Sequence, residues 1–142
     1  MIGLPETIFE TQITEIGKDA YEMLSNNVLV LFGNDAPDLL KDICFMHTSK
    51  ELQGDIIAGD CIEIGSELYN IVCVGKVACT TLSSMGHCSL IFGEVEDSEI
   101  LPGSVYLKER KTPKVEVGTC IRVIRNELST CHCSNHVQNC RN

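Results

Sequence analysis

Short apolar runs, each stopped within a few residues by Gly, Pro, Asn or Asp, recur along the whole 142-residue chain. Thr7 to Ile16 alternates around Ile8, Ile13 and Ile16 and ends at Gly17. Val28 to Phe32 is continuous and ends at Gly33-Asn34. Ile43 to Met46 runs directly into His47. Ile56 to Ile64, Tyr69 to Val77, Cys88 to Val95, Ser104 to Leu107 and Thr119 to Ile124 complete the series. Runs of this length between turn signals read as strands. They predict an all-β fold, a small barrel or sandwich-like barrel of short antiparallel strands with one to three short helices.

The helical signal is brief. Asp19 to Leu24 carries Ala20, Met23 and Leu24 on one face. Asp35 to Ile43 has Pro37 near its start, where a missing N–H costs little, and Leu39, Leu40 and Ile43 on one side. Val77 to Met85 makes two turns, stopped by Gly86 in the left-handed position that follows many helices. Three strands start alike, at Ala58-Gly59-Asp60-Cys61, Pro102-Gly103-Ser104-Val105 and Val117-Gly118-Thr119-Cys120. Hairpin turn chemistry accounts for this, because Gly adopts positive φ without strain.

Charge narrows the partners. Eleven Lys and Arg against twenty Asp and Glu give a net charge of −9. That disfavours nucleic acid, which is bound through clustered cations, and an anionic membrane surface for the same reason. No apolar run approaches the roughly 20 residues that span a bilayer, so no membrane insertion is expected. The first ten residues lack a secretory signal pattern. The nine cysteines are therefore expected to be thiols in a reducing cytoplasm. The six from Cys44 to Cys120 are expected to pack as small hydrophobes.

Two units are expected, a β domain over residues 1–125 and a tail over 126–142 with Leu128 and Val137 as its only large aliphatic residues. The tail holds Cys131, His132, Cys133, His136 and Cys140. His136 and Cys140 are spaced i, i+4, so one helical turn can present both to zinc. The set Cys131, Cys133, His136 and Cys140 lacks the C-x-x-C pairs of zinc knuckles, so no metal and no cofactor is assigned.

His47 carries the most chemistry. An apolar strand, Ile43-Cys44-Phe45-Met46, ends on it, and Thr48, Ser49 and Lys50 follow. A ring at a barrel rim above an apolar floor is kept neutral, hence nucleophilic, by desolvation. Thr48, Ser49 and Lys50 supply hydroxyl, amide and ammonium donors for a phosphoryl group. Alone, this motif reads more readily as an ordinary surface histidine at a strand end. His87, after Gly86, also lies at an element boundary. It can support His47 if the two rings meet, or serve structurally by bonding a turn carbonyl. No G-x-x-x-x-G-K-[ST] loop, G-x-G-x-x-G turn, G-x-S-x-G elbow or H-E-x-x-H pair occurs, which removes support for the chemistry that each would serve.

Asp35-Ala36-Pro37-Asp38-Leu39 followed by Ile43-Cys44-Phe45-Met46-His47 resembles the glucitol/sorbitol-specific IIA component of the bacterial phosphoenolpyruvate-dependent sugar phosphotransferase system. The family pattern there reads G-A-P-x-D-L, a spacer, then C-F-I-H. Glu51-Leu52-Gln53-Gly54 is similar to E-L-K-G, and Val74-Gly75-Lys76-Val77 to A-V-G-x-V. Met85-Gly86-His87-Cys88-Ser89-Leu90-Ile91-Phe92 resembles L-G-H-V-T-L-x-F, and Pro102-Gly103-Ser104-Val105 resembles P-G-T-V. The matches run in order from about residue 7 to 125, and the tail beyond Asn126 has no counterpart.

The resemblance implies that His47 accepts a phosphoryl group from the phosphohistidine of HPr, a small carrier protein. His47 would pass it to a IIB component, with the sugar phosphorylated as a membrane IIC unit imports it. His87 stays a supporting candidate from its place at an element boundary, and the protein is expected in the cytoplasm. A regulatory or interaction module on the same scaffold, signalling sugar status through His47 phosphorylation, is the alternative.

Overall fold

The structure, a computed structural model, describes residues 6–93 and 100–125. Eight strands, interrupted by three short helices, follow along it. They are β1 (Glu6–Ile16), α1 (Ala20–Ser25), β2 (Val28–Gly33), α2 (Asp38–Lys41), β3 (Cys44–His47), β4 (Cys61–Ile64), β5 (Glu67–Val74), α3 (Ala78–Met85), β6 (Cys88–Phe92), β7 (Ser104–Leu107) and β8 (Cys120–Arg125). The strands close into a barrel in the order β1-β3-β2-β6-β7-β5-β4-β8. Closure leaves no open sheet edge, which suits strands as short as four residues. Among the described residues no helix is long and apolar enough to cross a membrane.

The barrel and its short helices were expected; its mixed pairing was not. β2 pairs with β3 in parallel, and so does β6 with β7. Parallel neighbours need a crossover connection. Residues 34–43, with α2 among them, provide the first, and residues 93–103 lie between the second pair. The remaining pairs are antiparallel, the tightest being the β4–β5 hairpin, where Ile64 faces Glu67.

β3 explains how the site is positioned. All four of its residues are buried, because both of its faces are covered. Cys44 and Met46 point outward into a small cluster with Val30, Phe32 and Ala36, against which Met23 of α1 packs. Phe45 points inward among Phe9, Leu29, Leu31, Ile64, Leu107 and others. A strand buried on both faces reads as a continuous apolar run, as Ile43 to Met46 does. The alternation puts His47 on the inward phase with Phe45. The interior is filled by side chains, and the space enclosed by Phe9, Leu31, Leu82, Val105 and their neighbours is only about 10 Å³, too small for a ligand.

Cys44, Cys61, Cys79, Cys88 and Cys120 are free thiols. Burial pushes the Cys44 thiol up to about 11 and the Cys88 thiol, also near Cys79, up to about 12. Both are inert packing groups, as expected. Cys73 also packs, beside Ile100 and Tyr106, yet it is disulfide-bonded where a thiol was expected, and Cys120 is exposed where packing was expected.

Candidate functional site

His47 ends β3 at the point where β1, β2 and the C-terminus of α3 converge. In register it faces Ile13 of β1 and Gly33 of β2. Its ring is completely buried, not lodged at an open rim as the sequence suggested. The apolar floor is present: Phe9 meets the ring edge-on, with centroids 6.0 Å apart and an interplanar angle of 86°.

Both ring nitrogens are engaged. Nε2 lies 2.7 Å from the Gly86 carbonyl oxygen, and Nδ1 lies 2.9 Å from Thr11 Oγ1. The Ser49 N–H reaches the same hydroxyl at 3.4 Å. Thr11 sits two residues before Ile13 on the same face of β1, buried to 6% exposure. It is thus a polar residue on an apolar face, and His47 is what satisfies it.

Gly86 reaches His47 because of its backbone. It caps α3 with φ +69° and ψ 18°, its N–H donating to the Leu82 carbonyl. The left-handed turn takes its carbonyl off the helix axis. It also lies against Gly33, where a Cβ on Gly86 would come within 2.9 Å of Gly33 N and 3.2 Å of His47 Nε2. Two facing glycines let the helix end descend onto β2 and β3. The carbonyl ends of a helix favour positive charge and donors, so this end of α3 suits a ring N–H.

Burial lowers the pKa of His47 below its ordinary value, and the charge of Lys50 lowers it further, while the Gly86 carbonyl works in the opposite direction. The balance is a neutral imidazole at neutral pH. Lys50 itself pairs with Asp35 at 3.6 Å. Thr48 is exposed, and Ser49 and Lys50 are half-buried. The three candidate phosphate donors therefore line the exit of β3, with the Ser49 amide tied to Thr11.

His87 is brought near in the chain but its ring is turned elsewhere. It stacks on Phe32 with centroids 4.4 Å apart, and its Nδ1–H donates to the Leu31 carbonyl at 3.2 Å. Phe32 belongs to the outward-facing cluster, so the two histidines lie on opposite faces of the sheet. The structure joins them through the Gly86-His87 backbone instead. Cys131, Cys133, His136 and Cys140 lie outside the described residues. No cluster of three or more His, Cys, Asp or Glu suited to a metal occurs among the described ones.

Residues 8–122 match the family of PTS system glucitol/sorbitol-specific IIA components. The chain belongs to this family. It is 36% identical over 100 residues to the PTS system glucitol/sorbitol-specific EIIA component of Escherichia coli strain K12, covering 70% of this chain and 80% of that one. The Shigella flexneri component of the same name matches at the same identity and coverage. Among solved structures, the PTS system IIA component from Enterococcus faecalis V583 is similar at a TM-score of 0.73. It shares 33% identity, across 80% of this chain and 97% of the other. As a IIA component the protein is a phosphotransferase component, a carrier in a phosphoryl relay that serves sugar uptake.

Proposed function

We propose that His47 is the phosphoacceptor of this IIA component. It takes a phosphoryl group from phospho-HPr and passes it to a cognate IIB component, for phosphorylation of glucitol (sorbitol) during its import. The observation that carries this reading is a neutral, fully oriented imidazole at the end of β3, followed at once by Thr48, Ser49 and Lys50. Transfer between imidazoles needs alignment and charge stabilisation more than covalent machinery. A ring fixed from both sides supplies the alignment. Lys50 supplies positive charge beside it, and the Ser49 amide and Thr48 hydroxyl supply donors for phosphoryl oxygens.

The working unit is the barrel, and the relay places it in the cytoplasm. Its charge of −9 favours a basic face on the proteins it meets. His87 acts indirectly, by holding the Gly86 turn against β2 through its hydrogen bond to the Leu31 carbonyl and its stacking on Phe32.

The test is incubation with phosphoenolpyruvate, enzyme I and HPr, comparing wild type with His47→Ala. The wild type is expected to become labelled on His47 and to donate to IIB, while the variant takes no label. A folded His47→Ala protein that labels like the wild type would remove His47 from the relay. His87→Ala is expected to slow transfer and still be labelled.

A further inference from the structure

We propose that Cys73 is the barrel half of a redox latch. Its disulfide ties residues 126–142 to the outer face of β5, through one of Cys131, Cys133 and Cys140, and a dithiol reductant opens it. No step of this depends on which residue carries the phosphoryl group.

The pairing follows by elimination. Cys73 is disulfide-bonded, whereas Cys44, Cys61, Cys79, Cys88 and Cys120 are free. Of the nine cysteines in the chain, this leaves Cys131, Cys133 and Cys140 as partners, all of them beyond the end of β8.

The path of the chain makes that pairing short. β8 ends on Arg125, whose guanidinium is bonded to both carboxylate oxygens of Asp60. The Asp60 carbonyl in turn accepts from the Ile71 N–H at 2.9 Å. Arg125, Asp60 and Ile71 therefore lie side by side on β8, at the start of β4 and on β5. Two strand spacings separate β8 from β5, or ~10 Å, and Cys73 is two residues beyond Ile71, ~7 Å further on. β5 and β8 are both antiparallel to β4, so β8 delivers the chain toward the end of β5 that holds Cys73. The gap from Arg125 to Cys73 is thus ~12 Å. The six residues from Arg125 to Cys131 span up to ~20 Å when extended, and Cys133 and Cys140 have longer reach.

Cys73 is also on the right side of the sheet. Ile71 belongs to the main core, but the register slips between it and Cys73. Cys73 packs instead with Ile100, Tyr106, Val72 and Ile91 in a satellite cluster outside that core. A second segment can meet its sulfur there without entering the barrel. The closed ladder of eight strands includes nothing beyond Arg125, so opening the latch releases the tail and leaves the barrel shut.

In a protein of the cytoplasm such a bond reads as a switch, since disulfides there are usually transient or redox-sensing. Closing converts two thiols into one S–S bond, and their two protons and two electrons pass to a disulfide oxidant, which leaves as two thiols. Opening begins when a thiolate of the reductant attacks one sulfur of the latch and the other departs as a thiolate that takes up a proton. The second thiol of the reductant then breaks the mixed disulfide, freeing the remaining cysteine.

Two measurements on the full-length protein test this. In the first, protein equilibrated with oxidised glutathione is alkylated, digested without reduction and mapped by mass spectrometry. A linked pair of peptides is expected, one with Cys73 and one with a tail cysteine, and a dithiol reductant should abolish it. Cys73 found alkylated, joined to glutathione, to another cysteine of the barrel or to Cys73 of a second copy would overturn the proposal.

The second is thermal unfolding. A cross-link that closes so long a loop is expected to raise Tm on the order of 10 °C, so the reductant should lower the wild-type value by that much. Cys73→Ser should show the lowered Tm even under oxidising conditions. So should a triple variant with Cys131→Ser, Cys133→Ser and Cys140→Ser, which leaves the packing around Cys73 untouched and so separates the latch from the cluster. Restoring the three tail cysteines one at a time then names the partner, as the one that brings back the response to reductant. A triple variant that melts like oxidised wild type, or still responds to the reductant, would overturn the latch, as would a series in which no single restoration recovers the response.

Discussion

Of the polar side chains buried at strand ends, His47 at the end of β3 and Asp60 just before β4 are satisfied in opposite ways. Asp60 is 1% exposed and meets a full opposite charge. Arg125 Nε and an Nη of the same guanidinium donate to its two oxygens at 2.8 and 3.0 Å, and the Ile57 N–H adds a third bond at 2.9 Å. His47 is equally buried, yet its partners are a neutral hydroxyl and a neutral carbonyl. A buried charge must be paired, and a group that is to accept a charge must not be. The Asp60 corner locks β4 to β8, whereas the His47 corner leaves a lone pair under a single hydroxyl. Depth of burial therefore does not distinguish the two corners. The charge of the partners does.

The most damaging way to break this comparison is to unpair Asp60. Arg125→Ala leaves a buried carboxylate with the Ile57 amide as its one remaining donor among the described residues, and is expected to cost about 3 kcal/mol, read by chemical denaturation. The folded variant should still acquire label on His47 at close to the wild-type rate, since the two corners share no partner. A loss of labelling in folded Arg125→Ala would show that the corners are coupled and that their division into structural and reactive is wrong.

A smaller effect is expected at the other corner. Gly86→Ala forces a left-handed alanine, costing about 1–2 kcal/mol, and its Cβ would meet Gly33 N at 2.9 Å. The carbonyl that holds Nε2 must shift, so transfer should fall more steeply than stability. Wild-type transfer by a destabilised Gly86→Ala would mean that Gly86 is only a helix cap, and that the ring is oriented by Thr11 alone.

The sequence made one of these corners visible and hid the other. His47 stood out because an apolar run ends on it and hydroxyls and a lysine follow. Asp60 looked like the small polar residue of a hairpin start, one of three similar turns, and its partner lies 65 positions away. The partners of His47 were hidden for a different reason. β1 slips register between Thr7 and Phe9 and again between Ile13 and Glu15, so Ile8, Phe9, Ile13 and Ile16 do not share one alternating phase. With the phase broken, Thr11 could not be seen to lie on the inner face. Gly86 was legible as a helix stop in the left-handed region, but which side chain its freed carbonyl would meet depends on α3 crossing β2, a tertiary fact. The parallel pairs were missed similarly. Turn signals mark where strands end, and only the lengths of residues 34–43 and 93–103 hint that the chain crosses over instead of turning back.

The subtlest expected difference between the corners is in pH. Burial, first, and Lys50, second, lower the pKa of folded His47 from 6.5, so the folded ring resists a proton that the unfolded ring accepts. Above 6.5 neither state is protonated there, and the full stability conferred by the neutral ring is present. As pH falls below 6.5 the unfolded chain gains a proton at this position before the folded one does, and stability drops until the folded ring titrates too. Denaturation midpoints of wild type should therefore decline between neutral pH and the folded value, and His47→Gln, which cannot titrate, should lose this part of the decline. The difference curve between the two proteins isolates the ring from every carboxylate they share. A flat difference would mean that His47 is as readily protonated folded as unfolded. Its partners would then be behaving as a charged pair would, and the contrast with Asp60 would collapse.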